Sequence, residues 1–102
     1  MPVDISAQGD FAHAVYQWLA AVPAGQVVSY GQLAQLAGYP RHARFVGRLM
    51  AHLPSDSRLP WWRVVRSDGT LACGRRQQDL LVSEGVPVLG EKVNLRRHGF
   101  QP

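Results

Sequence analysis

The sequence predicts a mainly α (α+β) fold, a winged helix-turn-helix-like arrangement carrying a short β-hairpin. Three observations predict it. Apolar residues recur at helical spacing in three stretches of the first half of the chain. A tight turn containing Gly38 separates the second stretch from the third, and the third carries an arginine stripe. Past residue 60, Trp62-Arg63-Val64-Val65 reads as a short strand followed by the turn Ser67-Asp68-Gly69. At 102 residues and 46% apolar content, the chain is expected to form one domain, 1–102, around one small core.

Residues 1–8 read as a loose arm, and Asp10 is placed to cap a first helix over about 10–22. Phe11, Val15, Trp18, Leu19 and Val22 form its apolar stripe, and Pro23-Ala24-Gly25 ends it. Gln26-Val27-Val28 is a short extended piece. Ser29 then caps a second helix, about 30–37, with Gln32 as the partner in a capping box. Leu33 and Leu36 are its buried residues, and Gly38 stops it. Pro40 suits the first turn of a third helix, about 40–52. Phe45, Val46, Leu49 and Met50 can face the core there, while Arg41, Arg44 and Arg48 share one face.

After Leu53-Pro54, a polar loop from Ser55 to Arg58 closes at Leu59-Pro60. Thr70-Leu71-Ala72 is the expected hairpin partner of Trp62-Arg63-Val64-Val65. A further helix over about 75–84 carries Leu80 and Leu81, with Gly85 as its C-cap. The tail from Val86 to Pro102 reads as coil with a short strand or turn.

The formal net charge is +4, carried by ten arginines and a single lysine. Eight of those arginines fall between Pro40 and Arg76, against only Asp56 and Asp68. That local excess points to an anionic partner for the middle of the chain, because guanidinium forks match phosphates and guanine edges. Cys73 is the single cysteine, so an internal disulfide is excluded, and four histidines beside it show no metal-ligand spacing. No metal or cofactor is expected. No apolar run reaches membrane-span length, and the opening MPVDISAQGD lacks the pattern of a signal peptide. A cytoplasmic location is the resulting expectation.

The segment Leu59-Pro60-Trp61-Trp62-Arg63-Val64-Val65 resembles the active-site segment of the O6-alkylguanine-DNA alkyltransferases, which reads Pro-Cys-His-Arg-Val. Pro60, Arg63 and Val64 match, while Trp61 stands at the alkyl-accepting cysteine and Trp62 at the histidine. Val27-Val28-Ser29-Tyr30-Gly31-Gln32-Leu33-Ala34 resembles the family's turn into its first DNA-contacting helix. Ala43-Arg44-Phe45-Val46-Gly47 resembles its recognition helix, and Ser83-Glu84-Gly85-Val86 its His-Glu-Gly segment. The resemblance covers roughly residues 10–92. It implies the fold of the family's C-terminal DNA-binding domain, without the extra N-terminal domain of many members. Two places depart from the pattern: Leu53-Pro54 replaces Asn-Pro, and Ala72-Cys73-Gly74-Arg75-Arg76 replaces a longer pocket loop.

Alkyl transfer from guanine O6 requires an activated thiolate, which the family produces with its histidine and a glutamate. Here the glutamate match, Glu84, remains while both other members are gone. An indole N–H is only a donor, so transfer by the family's route is excluded at Trp61. The chain also resembles the alkyltransferase-like proteins, in which tryptophan replaces the cysteine. That resemblance implies a non-enzymatic protein that binds O6-alkylguanine in double-stranded DNA by base flipping and flags it for nucleotide excision repair. The implied partners are damaged duplex DNA and the damage-recognition proteins of that pathway. The protein is expected to be a monomer, nucleoid-associated when bound to DNA. The implied lesion pocket is Trp61, Trp62, Tyr30, Arg75 and Arg76, with one of the two arginines making a cation–π contact to the base. Arg44 matches the arginine that fills the gap left by the flipped base, and Tyr30 the tyrosine that helps extrude it. Arg41 and Arg48 are read as phosphate contacts.

Two other readings stay open at this level. A winged-helix transcription regulator explains the arginine stripe but gives no reason for Pro60-Trp61-Trp62-Arg63-Val64. A methyltransferase using Cys73 would need that thiol, twelve residues past Trp61, to be activated by Arg75 and Arg76.

Overall fold

The computed structural model describes residues 5–102. Its elements run α1 (Ile5–Ala21), β1 (Val28–Ser29), α2 (Tyr30–Leu36), α3 (Ala43–Ala51), a 3-10 turn (Trp61–Arg63), β2 (Val64–Val65), α4 (Gly74–Ser83) and α5 (Leu95–His98). The expected mainly helical fold with a small β component is what forms.

The apolar stripe is buried much as the spacing requires: Phe11, Val15 and Leu19 on α1, and Val22 just past its end, are at most 4% exposed, while Trp18 is half-buried against them. The start of α1 differs from expectation. The helix already includes Ile5, so Asp10 lies inside it and caps nothing; of the expected arm at 1–8, residues 1–4 lie outside the described residues. Gly9-Asp10 reads as a break, yet a helix tolerates one glycine at about 1 kcal/mol when tertiary packing holds the turns that follow.

At α2 the Ser29 hydroxyl accepts from the Gln32 backbone N–H at 3.0 Å, as the capping motif predicts. The reciprocal half is absent. The Gln32 side chain instead donates to the carbonyl of Phe100 at 2.8 Å and ties the C-terminus to α2. Gly38 leaves the helix at φ +93°, a conformation cheap only for glycine. α3 then begins at Ala43, so Pro40 and Arg41 belong to the turn before it rather than to its first turn. The cause is aromatic packing. Tyr39 and His42 pack on Phe11, with ring centroids 5.0 and 5.7 Å away, and hold residues 39–42 in their own turn.

The expected hairpin does not form. Only Val64–Val65 is extended, and it pairs in parallel with Val28–Ser29, in the register Val28↔Val64 and Ser29↔Val65. The turn at Ser67-Asp68-Gly69 is present, with Gly69 N–H donating to the Arg66 carbonyl at 2.8 Å. Thr70, however, bridges Lys92, and Leu71 N–H donates to the Glu91 carbonyl. Residues 61–63 instead form a 3-10 turn after Pro60, with Arg63 N–H donating to the Pro60 carbonyl at 3.0 Å, which leaves two valines for pairing.

Adjacent strand residues point to opposite faces, and this splits the core in two. Val28 and Val64 join α1, α2 and α3 in one cluster, whereas Val27 and Val65 join Leu71, Leu81, Val86 and Val93 in the other. The tail, expected as coil, closes the second cluster. α5 is capped by Asn94, whose Oδ1 accepts from the N–H groups of Arg96 and Arg97. Gly99 then lies beside Val27 as a parallel bridge. Gly85, at φ +85°, ends α4 as expected, with Val86 N–H returning to the Leu81 carbonyl at 3.0 Å.

Gly69 is needed for two reasons at once. It sits at φ +90°, and a Cβ there would overlap the backbone carbonyl of Val93. Gly69→Ala is therefore expected to destabilise the fold by more than about 1 kcal/mol, read from the midpoint of urea unfolding. Gly31, with open space where its Cβ would be, is the matched control.

Candidate nucleic-acid interface

The N-terminus of α2 sets Tyr30 in place. Its side chain is half-buried against the first cluster. Burial, and then the neighbouring Cys73, raise its phenol above the usual tyrosine value, with Arg66 opposing. The hydroxyl therefore stays neutral and can donate. Across the Gly38 turn, α3 buries Val46 and half-buries Phe45, Leu49 and Met50. That fixes its outer face, where Arg44 and Arg48, one turn apart, are exposed. Arg41 is exposed in the preceding turn.

The C-terminal end of α3 leads into a cavity of about 230 Å³ lined by Met50, Leu53, Pro54, Ser55, Ser57, Trp61 and Arg76. Trp61 supplies the aromatic part of its wall. The Arg76 guanidinium lies 5.6 Å from the Trp61 ring centroid, within cation–π range. Of the predicted pocket residues, the structure brings Trp61 and Arg76 together here. Tyr30, Trp62 and Arg75 do not line this cavity. Trp62 stands at right angles to Trp61, 5.9 Å away between ring centroids, and packs against the second cluster. It lines a different depression with Ala20, Arg58, Leu59, Pro60 and Arg63.

Beneath the two tryptophans sits an ion pair. Arg63 donates through Nε to one Glu84 oxygen at 3.0 Å and through a terminal nitrogen to the other, and its remaining nitrogen donates to the Val22 carbonyl at 2.7 Å. The two side chains are each 14% exposed. The hydrogen bond from Arg63 holds the Glu84 carboxyl below the usual glutamate range, against a smaller opposing effect of burial. The indole Nε1 of Trp62 is buried without a hydrogen-bond partner among the described residues. It is near enough to favour the carboxylate, but not in bonding geometry. Glu84 is thus a structural anchor for the segment that carries Trp61.

Sequence reasoning passed over Gln77, Ser55 and Ser57. Gln77 lies in the polar run Arg75-Arg76-Gln77-Gln78, which reads as a solvated helix start, yet it is fully buried. The serines lie in a loop whose polarity alone marks it only as exposed. A wider depression, about 570 Å³, lies elsewhere, between Asp68, Leu89 and the segment 92–98. Among the described residues, no cluster of histidine, cysteine or carboxylate could hold a metal, and no helix is long and apolar enough to cross a membrane.

The profile of the family described as 6-O-methylguanine DNA methyltransferase, DNA binding domain, matches residues 10–86. The chain belongs to this family. Within it, the chain is 44% identical to a DNA base-flipping protein of Vibrio parahaemolyticus, over 79% of this chain and 86% of that one. It is 38% identical to alkyltransferase-like protein 1 of Schizosaccharomyces pombe, over 91% and 96% of the two chains. The crystal structure of S. pombe Atl1 in complex with damaged DNA containing O6-carboxymethylguanine superposes with a TM-score of 0.86. That match has 34% identity and covers 92% of this chain and 97% of the other. The O6-methylguanine methyltransferase of Mycobacterium tuberculosis superposes over 74% of this chain but only 48% of its own, with a TM-score of 0.64. The 6-O-methylguanine family's fold is therefore a helix-turn-helix module here, consistent with a winged helix.

Proposed function

We propose that the protein recognises O6-alkylguanine in duplex DNA by flipping the base into the Trp61–Arg76 cavity, and that it leaves the adduct in place. One observation carries the reading. Trp61 on the cavity wall carries an indole, which cannot accept an alkyl group by the family's route, and the cavity borders Met50 in the last turn of the helix that displays Arg44 and Arg48. At about 230 Å³ the cavity is smaller than the roughly 300 Å³ at which drug-sized ligand sites begin, a scale suited to a single base. Extruding a base costs a few kcal/mol, less when its pairing is already damaged, and stacking on an aromatic wall offsets part of that. The names and damaged-DNA complexes of the relatives support the same reading.

Cys73 does not line the cavity and is exposed, so the structure offers it no route to a base held there. A lesion held without being repaired must be handed on. We therefore also propose that a monomeric complex with DNA recruits the damage-recognition proteins of nucleotide excision repair. That step is tested by measuring whether the protein accelerates reconstituted incision of an O6-methylguanine duplex.

The primary test is a binding titration against otherwise identical duplexes containing guanine, O6-methylguanine or a bulkier O6 adduct, at stated salt. Tighter binding to the adducts with no loss of alkyl group is expected; equal affinity for all three would refute the reading. In the same assay, Arg48→Ala should weaken every duplex alike and reduce the salt slope by about one. Arg44→Ala should weaken the adduct duplexes more than the guanine duplex, because its proposed place is the gap that opens only when the base leaves the stack.

A further inference from the structure

The first turn of α4 holds, after Gly74, three polar residues that the sequence does not distinguish: Arg75, Arg76 and Gln77. Their surroundings differ completely. Arg75 and Arg76 are exposed, whereas Gln77 is fully buried and is the single polar side chain in the core among the described residues. Its Oε1 accepts from the backbone N–H of Cys73 at 3.0 Å, at the N-terminal boundary of α4. Its Nε2 donates to two carbonyls, Trp62 at 3.0 Å and Val64 at 2.7 Å.

A buried amide is costly unless it is satisfied, and this one uses one acceptor and both donors. The three groups it satisfies belong to two chain segments. One is the start of α4, which carries Arg76. The other is the 3-10 turn and β2, which carry Trp61. The segments also touch through Arg76 and Trp61, but that contact is between side chains at the surface. Alongside the apolar contacts of Leu81 in the second cluster, Gln77 is the buried polar link between them, made of directional hydrogen bonds.

We propose that Gln77 is a positioning residue for lesion discrimination: it acts through Arg76 and Trp61, holding the guanidinium over the indole so that the cavity is formed before a base enters. A cavity already in place needs no ordering at the moment of binding, so more of the contact energy appears as affinity. The proposal rests on the lesion-binding function above.

The test uses three variants. Gln77→Glu keeps an acceptor for the Cys73 N–H but turns the donor to the two carbonyls into a second acceptor. Gln77→Met keeps length and loses both ties. Gln78→Glu makes the same charge change one residue along α4 and is the control. Each is titrated against guanine and O6-methylguanine duplexes. The indole N–H resonance of Trp61 and the guanidinium Nε–H resonance of Arg76 are followed by NMR in the free protein. In Gln77→Glu and Gln77→Met, the ratio of the two affinities should fall about tenfold, the scale of one lost hydrogen bond. Guanine-duplex affinity should hold, both resonances should move, and Gln78→Glu should match wild type.

Unchanged ratios in both Gln77 variants would overturn the proposal. So would an equal fall in both affinities, which is what general loosening of the fold gives. If wild type itself shows no preference for the adduct, the function above fails. Movement of the Trp61 and Arg76 resonances in the Gln77 variants would then still support the positioning role, and their constancy would overturn it.

Discussion

Glu84→Ala is expected to lower the unfolding free energy by about 1–3 kcal/mol, a sizeable share of the roughly 5–15 kcal/mol typical of a natural domain. The reason is what it leaves behind. Arg63 and Glu84 form a two-point pair at 14% exposure, and the third Arg63 hydrogen bond ends on the Val22 carbonyl. Removing the carboxylate strands a guanidinium in a site already shielded from water. Replacing both partners, as in Arg63→Met with Glu84→Leu, should recover part of the loss, since no uncompensated charge then remains. Urea unfolding of the two variants separates these outcomes; equal stability of Glu84→Ala and wild type would show the pair to be unimportant. The pH dependence follows with a definite sign. The native carboxyl is held below its ordinary value. The pair's contribution is therefore fully present above the unfolded glutamate value of about 4.3, and is lost as pH falls from there through the depressed native value. Glu84→Gln should be less stable at neutral pH and show a shallower acid decline than wild type.

Trp61→Ala is expected to weaken binding to O6-methylguanine duplex by about tenfold to a hundredfold while leaving binding to the guanine duplex within about twofold. That range is the free energy of stacking one base on an aromatic side chain, about 1–3 kcal/mol. Trp61 is the aromatic residue lining the cavity, and the Arg76 guanidinium lies over its ring. Truncation removes both effects together. Trp61→Phe keeps a smaller π face and should fall between the two. Trp62→Ala is the contrasting variant. Its ring packs on the second core cluster and lies outside the cavity, so it should lower stability before it changes the ratio of affinities. A Trp61→Ala protein that keeps its preference for the adduct would place the bound base elsewhere.

Much of this was legible in the chain. The stripe Phe11, Val15, Leu19 and Val22 and the Ser29 cap follow from local rules, as do the Gly38 stop and the Gly85 cap, and each forms as read. Local rules suffice there because helical spacing and left-handed glycine are properties of a few consecutive residues. They mislead where distant residues compete. Val64–Val65 could pair with Thr70–Leu71 or with Val28–Ser29, and nothing within the segment decides it. Pro40 suits a helix start, but Phe11 draws Tyr39 and His42 into a turn of their own.

Residue order alone puts Trp61 in the segment resembling the family's alkyl acceptor and crowds arginines into the middle of the chain. Side-chain chemistry needs no fold to exclude an indole as acceptor. Packing in three dimensions sets which arginine faces Trp61, leaves Trp62 outside the cavity, and buries Gln77 but not its neighbours. Those are matters of burial and angle, set by how α4 packs on the 3-10 turn across two valines of a parallel pair. Contacts of that range are fixed by the whole core, and no local window of sequence contains them.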